Sequence, residues 1–169
     1  MDETIKRFVR VDHAGEYGAE RIYAGQLAVL GRGPKGDLLR HMLEQETVHK
    51  QTFEGLIAAR RSRPTAMLPI WHVAGFALGA LTAALGEKAA MACTVAVEET
   101  IDEHYAAQRD ALPAGEQELA ETIERFRLEE LEHRDIGLEN GAEQAPAYKL
   151  LTGLIKAGCK AAIKISEAV

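Results

Sequence analysis

The pattern Glu-x-x-His occurs twice in this chain, at Glu46–His49 and Glu130–His133. Each copy follows another glutamate by about one helical hairpin: Glu46 comes 30 residues after Glu16, and Glu130 comes 32 after Glu98. With six histidines among many acidic residues, chance alone supplies roughly one such tetrapeptide, so the letters by themselves decide little. Their register decides more. The three-and-four spacing of Leu39, Met42, Phe53 and Leu56 passes through Glu46 and His49, and that of Leu119, Ile123 and Phe126 leads into Glu130 and His133. Glu16 lies in line with Val9, Tyr23 and Leu30, and Glu98 with Met91, Val95, Ile101 and Tyr105. Four inward helix faces therefore each carry a carboxylate.

An ionised carboxylate in an apolar interior has to be paired, protonated or metal-bound. No lysine or arginine recurs on these faces to pair with the four glutamates. Glu at i and His at i+3 project from one side of a helix, and four carboxylates with two imidazoles match the charge of two divalent cations. Carboxylate and imidazole donors suit iron or manganese, while the absence of thiolates argues against an iron–sulfur cluster or a cysteine-rich zinc site. Four-helix di-metal carboxylate proteins take one Glu from each of two helices and Glu-x-x-His from each of the other two. The same set appears here in the order Glu, Glu-x-x-His, Glu, Glu-x-x-His. A solvated acidic face with two ordinary core histidines is the alternative, and it leaves the alignment on core faces unexplained. Glu20, Glu44, Glu99, Glu103, Glu129 and Glu132 mostly fall off the inward stripes and read as surface or supporting groups.

Turn signals at 31–37 (GRGPKGD), 62–65 (SRPT), 112–116 (LPAGE) and between Gly137 and Pro146 divide the sequence. No strand alternation lies between them. The spacing predicts six helices, near 2–30, 37–61, 69–86, 88–111, 115–138 and 146–167, in an all-α fold forming one domain over 1–169. The length is sufficient to bury a costly polar centre without disulfides, and Cys93 and Cys159 read as small buried hydrophobes. A net charge of -6 and the lack of a basic cluster exclude a nucleic-acid partner. The first residues, MDETIKRFVRVDH, lack the apolar core of a secretory signal and are too acidic for a good transit peptide, which points to a reducing, intracellular or matrix-like compartment.

Two segments lie outside the repeated pairs. From Val73 to Gly86 there is no charge, yet as a helix this stretch rises only about 21 Å, short of a bilayer core of roughly 30 Å. Gly75 and Gly79 allow close helix contact, and Trp71 suits a headgroup boundary. The segment reads either as an interfacial helix or as a buried or oligomer-forming one. In the last helix Lys149, Lys156, Lys160 and Lys164 line one side against Leu150, Leu154, Ile155, Ala161 and Ile165. Such a helix can lie on anionic lipid or pack with its cationic face outward. Together the segments point to a peripheral membrane protein acting on a lipid-soluble substrate.

The stretches RVDHAGEYGAERIYAGQLAVLG, EQETVH, RPTAMLPIWHVAGFALGA, MACTVAVEETIDEHY, EELEHRDIGLE and APAYKLLTGLIKAGCKAAI resemble the demethoxyubiquinone hydroxylases over nearly the whole chain. The resemblance implies a ferritin-like four-helix bundle with two additional apolar or amphipathic helices. It implies two Fe ions held by Glu16, Glu46, His49, Glu98, Glu130 and His133, with Glu46 or Glu130 as a bridge. It further implies that one oxygen atom of O2 is added to the ring of a prenylated demethoxyquinone in ubiquinone biosynthesis. NADH is the implied reductant, although no Gly-x-Gly-x-x-Gly follows a strand, so electrons would arrive without a nucleotide-binding domain. His104 and Tyr105 match the family's His-Tyr pair and are candidates for a proton or electron relay, or equally for packing and support. The resemblance is compatible with a homo-oligomer, with other ubiquinone-biosynthesis proteins as partners, and with the cytoplasmic face of a bacterial inner membrane or the matrix face of the mitochondrial one. A ferritin-like iron-oxidising or iron-storing protein is the alternative that shares the ligands.

Overall fold

In the computed structural model, which describes residues 3–169, the chain forms six α-helices: α1 (Glu3–Leu30), α2 (Gly36–Ala59), α3 (Leu68–Ala84), α4 (Glu87–Ala111), α5 (Gln117–Glu139) and α6 (Tyr148–Ala168). A single 3-10 turn, Ala142–Gln144, precedes α6, and no strand occurs among the described residues. The expected start of the first helix at residue 2 lies outside the described residues. The boundaries follow local chemistry. Pro69 sits in the first turn of α3, where its missing N–H costs nothing. Between α3 and α4 Gly86 adopts φ 117°, a value that strains any side chain and lets the chain reverse in very few residues.

The helices make a ferritin-like bundle in which α1 packs on α2 and α4 packs on α5, as two hairpins. Their inner faces meet around a polar middle that is closed at both ends by apolar side chains. Tyr23, Leu39, Met42, Met91 and Val95 form one apolar end, and Ile5, Val9, Phe53, Leu119, Ile123 and Phe126 form the other. Water is thereby excluded from the middle of the bundle, where polar groups have to satisfy one another.

Helix α3 lies along α1, and α6 lies along α4 and touches α1. The expected Gly-x-x-x-Gly contact is realised against α1. A Cβ on Gly79 would stand 1.9 Å from the Ile22 carbonyl oxygen, and one on Gly75 would stand 2.9 Å from that of Gly18. With this face used inside the chain, Ile70, Val73 and Leu81 of α3 and Leu85 just past its end are left exposed, as are Leu150, Leu154 and Ile165 of α6.

The lysine row of α6 is used differently from the sequence expectation. Lys156 pairs with Glu99, and Lys160 lies 2.9 Å from Glu103, so two of the four lysines clamp α6 to α4. Glutamates four apart on α4 meet lysines four apart on the parallel α6.

Candidate metal centre

Glu16, Glu46, His49, Glu98, Glu130 and His133 converge in the middle of the bundle, each essentially inaccessible to solvent. They form two overlapping groups, Glu16/Glu46/His49/Glu130 and Glu46/Glu98/Glu130/His133, and within each group the potential ligand atoms lie within 4.8 Å of one another. Glu46 and Glu130 belong to both groups. The Nδ1 atoms of both histidines face inward. That of His49 lies 3.0 Å from Glu130 Oε1 and 3.4 Å from Glu16 Oε2, and that of His133 lies 3.1 Å from Glu46 Oε1 and 3.3 Å from Glu130 Oε2.

Each half is supported from behind. Tyr23, seven residues after Glu16, donates its hydroxyl to Glu98 Oε1 at 2.7 Å, while Tyr105, seven residues after Glu98, donates to Glu16 Oε1. The two antiparallel helices α1 and α4 thus exchange Tyr-to-Glu bonds across a pseudo-twofold axis. The outward Nε2 of His49 faces Glu129 Oε2 at 2.5 Å, and that of His133 faces Gln45 Oε1 at 2.9 Å. Both partners present an oxygen, so each Nε2 carries the proton and donates it, leaving Nδ1 unprotonated and able to take a cation. Phe126 stacks on the His49 ring at 4.0 Å between centroids, and Tyr23 meets His133 edge-on at 5.9 Å.

After these bonds are made, Glu16 Oε2, both oxygens of Glu46, Glu98 Oε2, Glu130 Oε2 and His133 Nδ1 have no hydrogen-bond partner. So many orphaned buried ligand atoms in one place fit a pair of cations better than a self-sufficient polar network. The electrostatics of the side chains alone agree. Burial, reinforced by the neighbouring glutamates, pushes Glu46 and Glu98 well above the ordinary carboxylate range. For Glu130 burial acts in the same direction, but His133 and His49 outweigh it and hold the carboxyl down to about 2. Burial disfavours a charged His49, and the carboxylates of Glu130 and Glu16 overcome that effect and carry it up to about 12.

The structure treats the two relay candidates differently. Tyr105 joins the cluster through Glu16. His104 stands outside it, with Nε2 3.3 Å from Asp12 Oδ1, while Gln108 donates to Asp12 Oδ2 at 3.0 Å. Burial raises the Asp12 carboxyl to about 6 despite these two partners. A polar groove lined by Thr100, Glu103, His104, Lys160, Lys164 and Glu167 opens from this pair. Gln45, Asp12, Gln108 and the supporting role of Tyr23 escape a reading of spacing alone. The shared Glu-x6-Tyr interval on α1 and α4 is the one signal that could have revealed the tyrosine pair.

On the far side of α1 and α4 from the cluster, α3 and α6 enclose an apolar cavity of about 550 Å³. Gly15 and Ala19 flank Glu16 along its floor, Val97 borders Glu98, and Leu78, Leu154 and Cys159 form part of the walls. At one end the Trp71 indole N–H donates to Ser166 Oγ at 3.1 Å and ties α3 to α6. Cys93 and Cys159 are free thiols beside this cavity, buried and half-buried respectively.

Compared with known proteins, residues 3–166 match the family described as ubiquinone biosynthesis protein COQ7. The chain is 64% identical over 166 residues to a 3-demethoxyubiquinol 3-hydroxylase of Rhodospirillum rubrum, covering 98% of this chain and 78% of that protein. It is 56% identical over 169 residues to an NADPH-dependent mitochondrial 3-demethoxyubiquinone 3-hydroxylase of Bos taurus, with the same coverage of each. A mitochondrial 5-demethoxyubiquinone hydroxylase of Saccharomyces cerevisiae is 40% identical over 182 aligned positions, again covering 98% of this chain and 78% of the relative.

Proposed function

The chain belongs to the ubiquinone biosynthesis protein COQ7 family, and on that footing we propose that it is a 3-demethoxyubiquinol 3-hydroxylase working with two iron ions. The observation that carries the reading is the buried cluster of four glutamates and two histidines, rich in unpartnered ligand atoms, set directly behind the floor of an apolar cavity. In the reaction one oxygen atom of O2 replaces a ring hydrogen as hydroxyl and the other leaves as water, which requires two electrons and two protons.

Glu16, Glu46, His49 and Glu130 would hold one ion, and Glu46, Glu98, Glu130 and His133 would hold the other. The pair, when bound, would supply the redox capacity to activate O2, which no side chain here has. The protein supplies position and exclusion of water. Tyr23 and Tyr105 fix the outer carboxylates by hydrogen bonds, Glu129 and Gln45 orient the imidazoles, and the apolar ends of the bundle keep solvent away. The cavity between α3 and α6 takes the prenyl tail of the quinone and presents its ring to the floor formed by α1 and α4. His104 and Asp12 lie between the polar groove and the buried centre, which supports a role in bringing protons in, with Tyr105 completing the approach at Glu16.

No described helix is long and apolar enough to cross a membrane. The exposed apolar residues of α3 and α6 flank the cavity and support docking on a lipid surface, from which a prenylated quinone enters without crossing water. The reductant is a nicotinamide nucleotide. The sequence resemblance implies NADH, whereas the Bos taurus relative is an NADPH-dependent hydroxylase.

The test is anaerobic loading with Fe(II), followed by reductant, O2 and a short-chain demethoxyquinone, with products identified by mass spectrometry. Ring hydroxylation that depends on iron supports the assignment. Oxidised iron accumulating in the protein without hydroxylated quinone would favour iron storage instead.

A further inference from the structure

The internal repeat relates nearly every group around the cluster by a pseudo-twofold axis. Glu16 corresponds to Glu98, Tyr23 to Tyr105, Glu46 to Glu130 and His49 to His133. The residue before each shared glutamate contacts the Nε2 of the opposite histidine, and here the correspondence pairs an acid with an amide: Glu129 behind His49, Gln45 behind His133. We propose that this single difference makes the two metal positions unequal, so that the half built on His49 takes up a divalent cation more tightly and first.

The physical basis is the hydrogen bond that polarises the ligand. An imidazole donating N–H to a carboxylate gains electron density at its other nitrogen and becomes a better donor to a cation than one donating to a neutral amide oxygen. The acceptor is a carboxylate oxygen of Glu129 behind His49 and an amide oxygen of Gln45 behind His133. Glu129 is one-third exposed, which screens its through-space charge but leaves its direct bond to the ring intact. The other hydrogen-bonded supports are matched, since each outer glutamate receives one tyrosine hydroxyl and both halves share Glu46 and Glu130, while the rings differ in packing, Phe126 stacking on His49 and Tyr23 meeting His133 edge-on. At limiting metal the His133 half is therefore the one left short. Glu129 and Gln45 act as positioning residues through the histidines and touch neither substrate nor cation.

This inference rests on the di-metal reading of the cluster, and its test separates the two. Full-length protein freed of metal is titrated anaerobically with Co(II), following the visible ligand-field bands and the heat of binding, with far-UV circular dichroism as a check on folding. The wild type is expected to bind two ions in two steps. His133→Ala should retain the tight step and His49→Ala should lose it. Glu129→Gln should weaken the tight step by roughly 10- to 100-fold, and Gln45→Glu should strengthen the weak step, by the affinity range typical of such supporting groups. The gain in Gln45→Glu cannot arise from misfolding. Two ions bound with equal losses in His49→Ala and His133→Ala, or a Gln45→Glu titration no tighter than wild type, would overturn the inequality while leaving the di-metal centre standing. Failure to bind Co(II) at all, or binding indifferent to both histidines, would remove the di-metal reading itself.

Discussion

Replacing Tyr23 with phenylalanine removes one oxygen and leaves the ring's packing in place. In the structure that oxygen is the donor at 2.7 Å to Glu98 Oε1, and Glu98 Oε2 already lacks a partner. The variant therefore strands a fully buried carboxyl. Leaving a buried carboxyl without its hydrogen-bond donor costs about 1–3 kcal/mol. For a chain of this size each kcal/mol moves Tm by about 2–4 °C, so metal-free Tyr23→Phe should melt roughly 2–12 °C below wild type. When cations occupy the centre, Glu98 gains another partner and the deficit should shrink. The assay is thermal unfolding by circular dichroism, once with chelator and once with excess Mn(II), alongside Tyr105→Phe, which removes the pseudo-symmetric bond to Glu16. Both variants should show the same pattern. A difference between wild type and variant that is absent with chelator, or equally large with and without metal, would mean that these tyrosines do not support the carboxylates of the cluster. Hydroxylation lost in Tyr105→Phe but kept in Tyr23→Phe, at equal metal content, would single out Tyr105 for a relay role.

Glu130→Ala removes the carboxylate that both proposed ligand groups contain and should lose at least one ion per chain and abolish hydroxylation, while far-UV circular dichroism shows the helices retained. Stability without metal should fall as pH rises: His49, Glu46 and Glu98 have folded-state pKa values above their ordinary 6.5, 4.5 and 4.5, so their contribution is present when they are protonated and is lost as pH climbs through those raised values. Melting with chelator should accordingly decline between pH 6.5 and alkaline pH, whereas Mn(II)-loaded protein should resist that decline; melting that improves with pH under chelator would contradict the assigned shifts. Gly79→Leu drives a side chain into the Ile22 carbonyl and should cost about 1–3 kcal/mol, read from chemical denaturation, as α3 is forced off α1. Leu81→Asp and Leu154→Asp should each lower partitioning into phospholipid vesicles by roughly tenfold or more, since burying a leucine is worth about 1.5–3 kcal/mol; removing Lys149 and Lys164 should matter more for that binding than removing the ion-paired Lys156 and Lys160.

The cluster was legible because helical periodicity translates directly into facing. Glu16, Glu46, His49, Glu98, Glu130 and His133 each share a stripe with apolar residues, and burying those four stripes against one another in the bundle brings the six together. The helix positions were legible for the same reason, with Gly86 and the proline-bearing turns marking the breaks. What spacing does not encode is which neighbour stands across a gap. Glu129 falls off the inward stripe and reads as a surface or supporting acid, and only the approach of α2, which places His49 Nε2 against it, decides for support. At Gln45 an amide beside a glutamate carries no signal until His133 meets it. The α6 lysines suggested lipid because they form a row, and the acidic row of α4 that takes up Lys156 and Lys160 becomes their partner only once the two helices lie side by side. Asp12 and Gln108 reach His104 from helices far apart in sequence, which no local pattern reports.

If this buried cluster, loaded with metal, inserts oxygen from O2 into a quinone ring held in the adjoining cavity, a single-turnover reaction under 18O2, with Fe(II)-loaded protein, a short-chain demethoxyquinol and the metal content counted beforehand, yields a hydroxylated ring carrying one 18O atom from protein holding two irons per chain, and no product from protein stripped of metal. Product bearing oxygen from water, or formed equally well without iron, would rule that chemistry out.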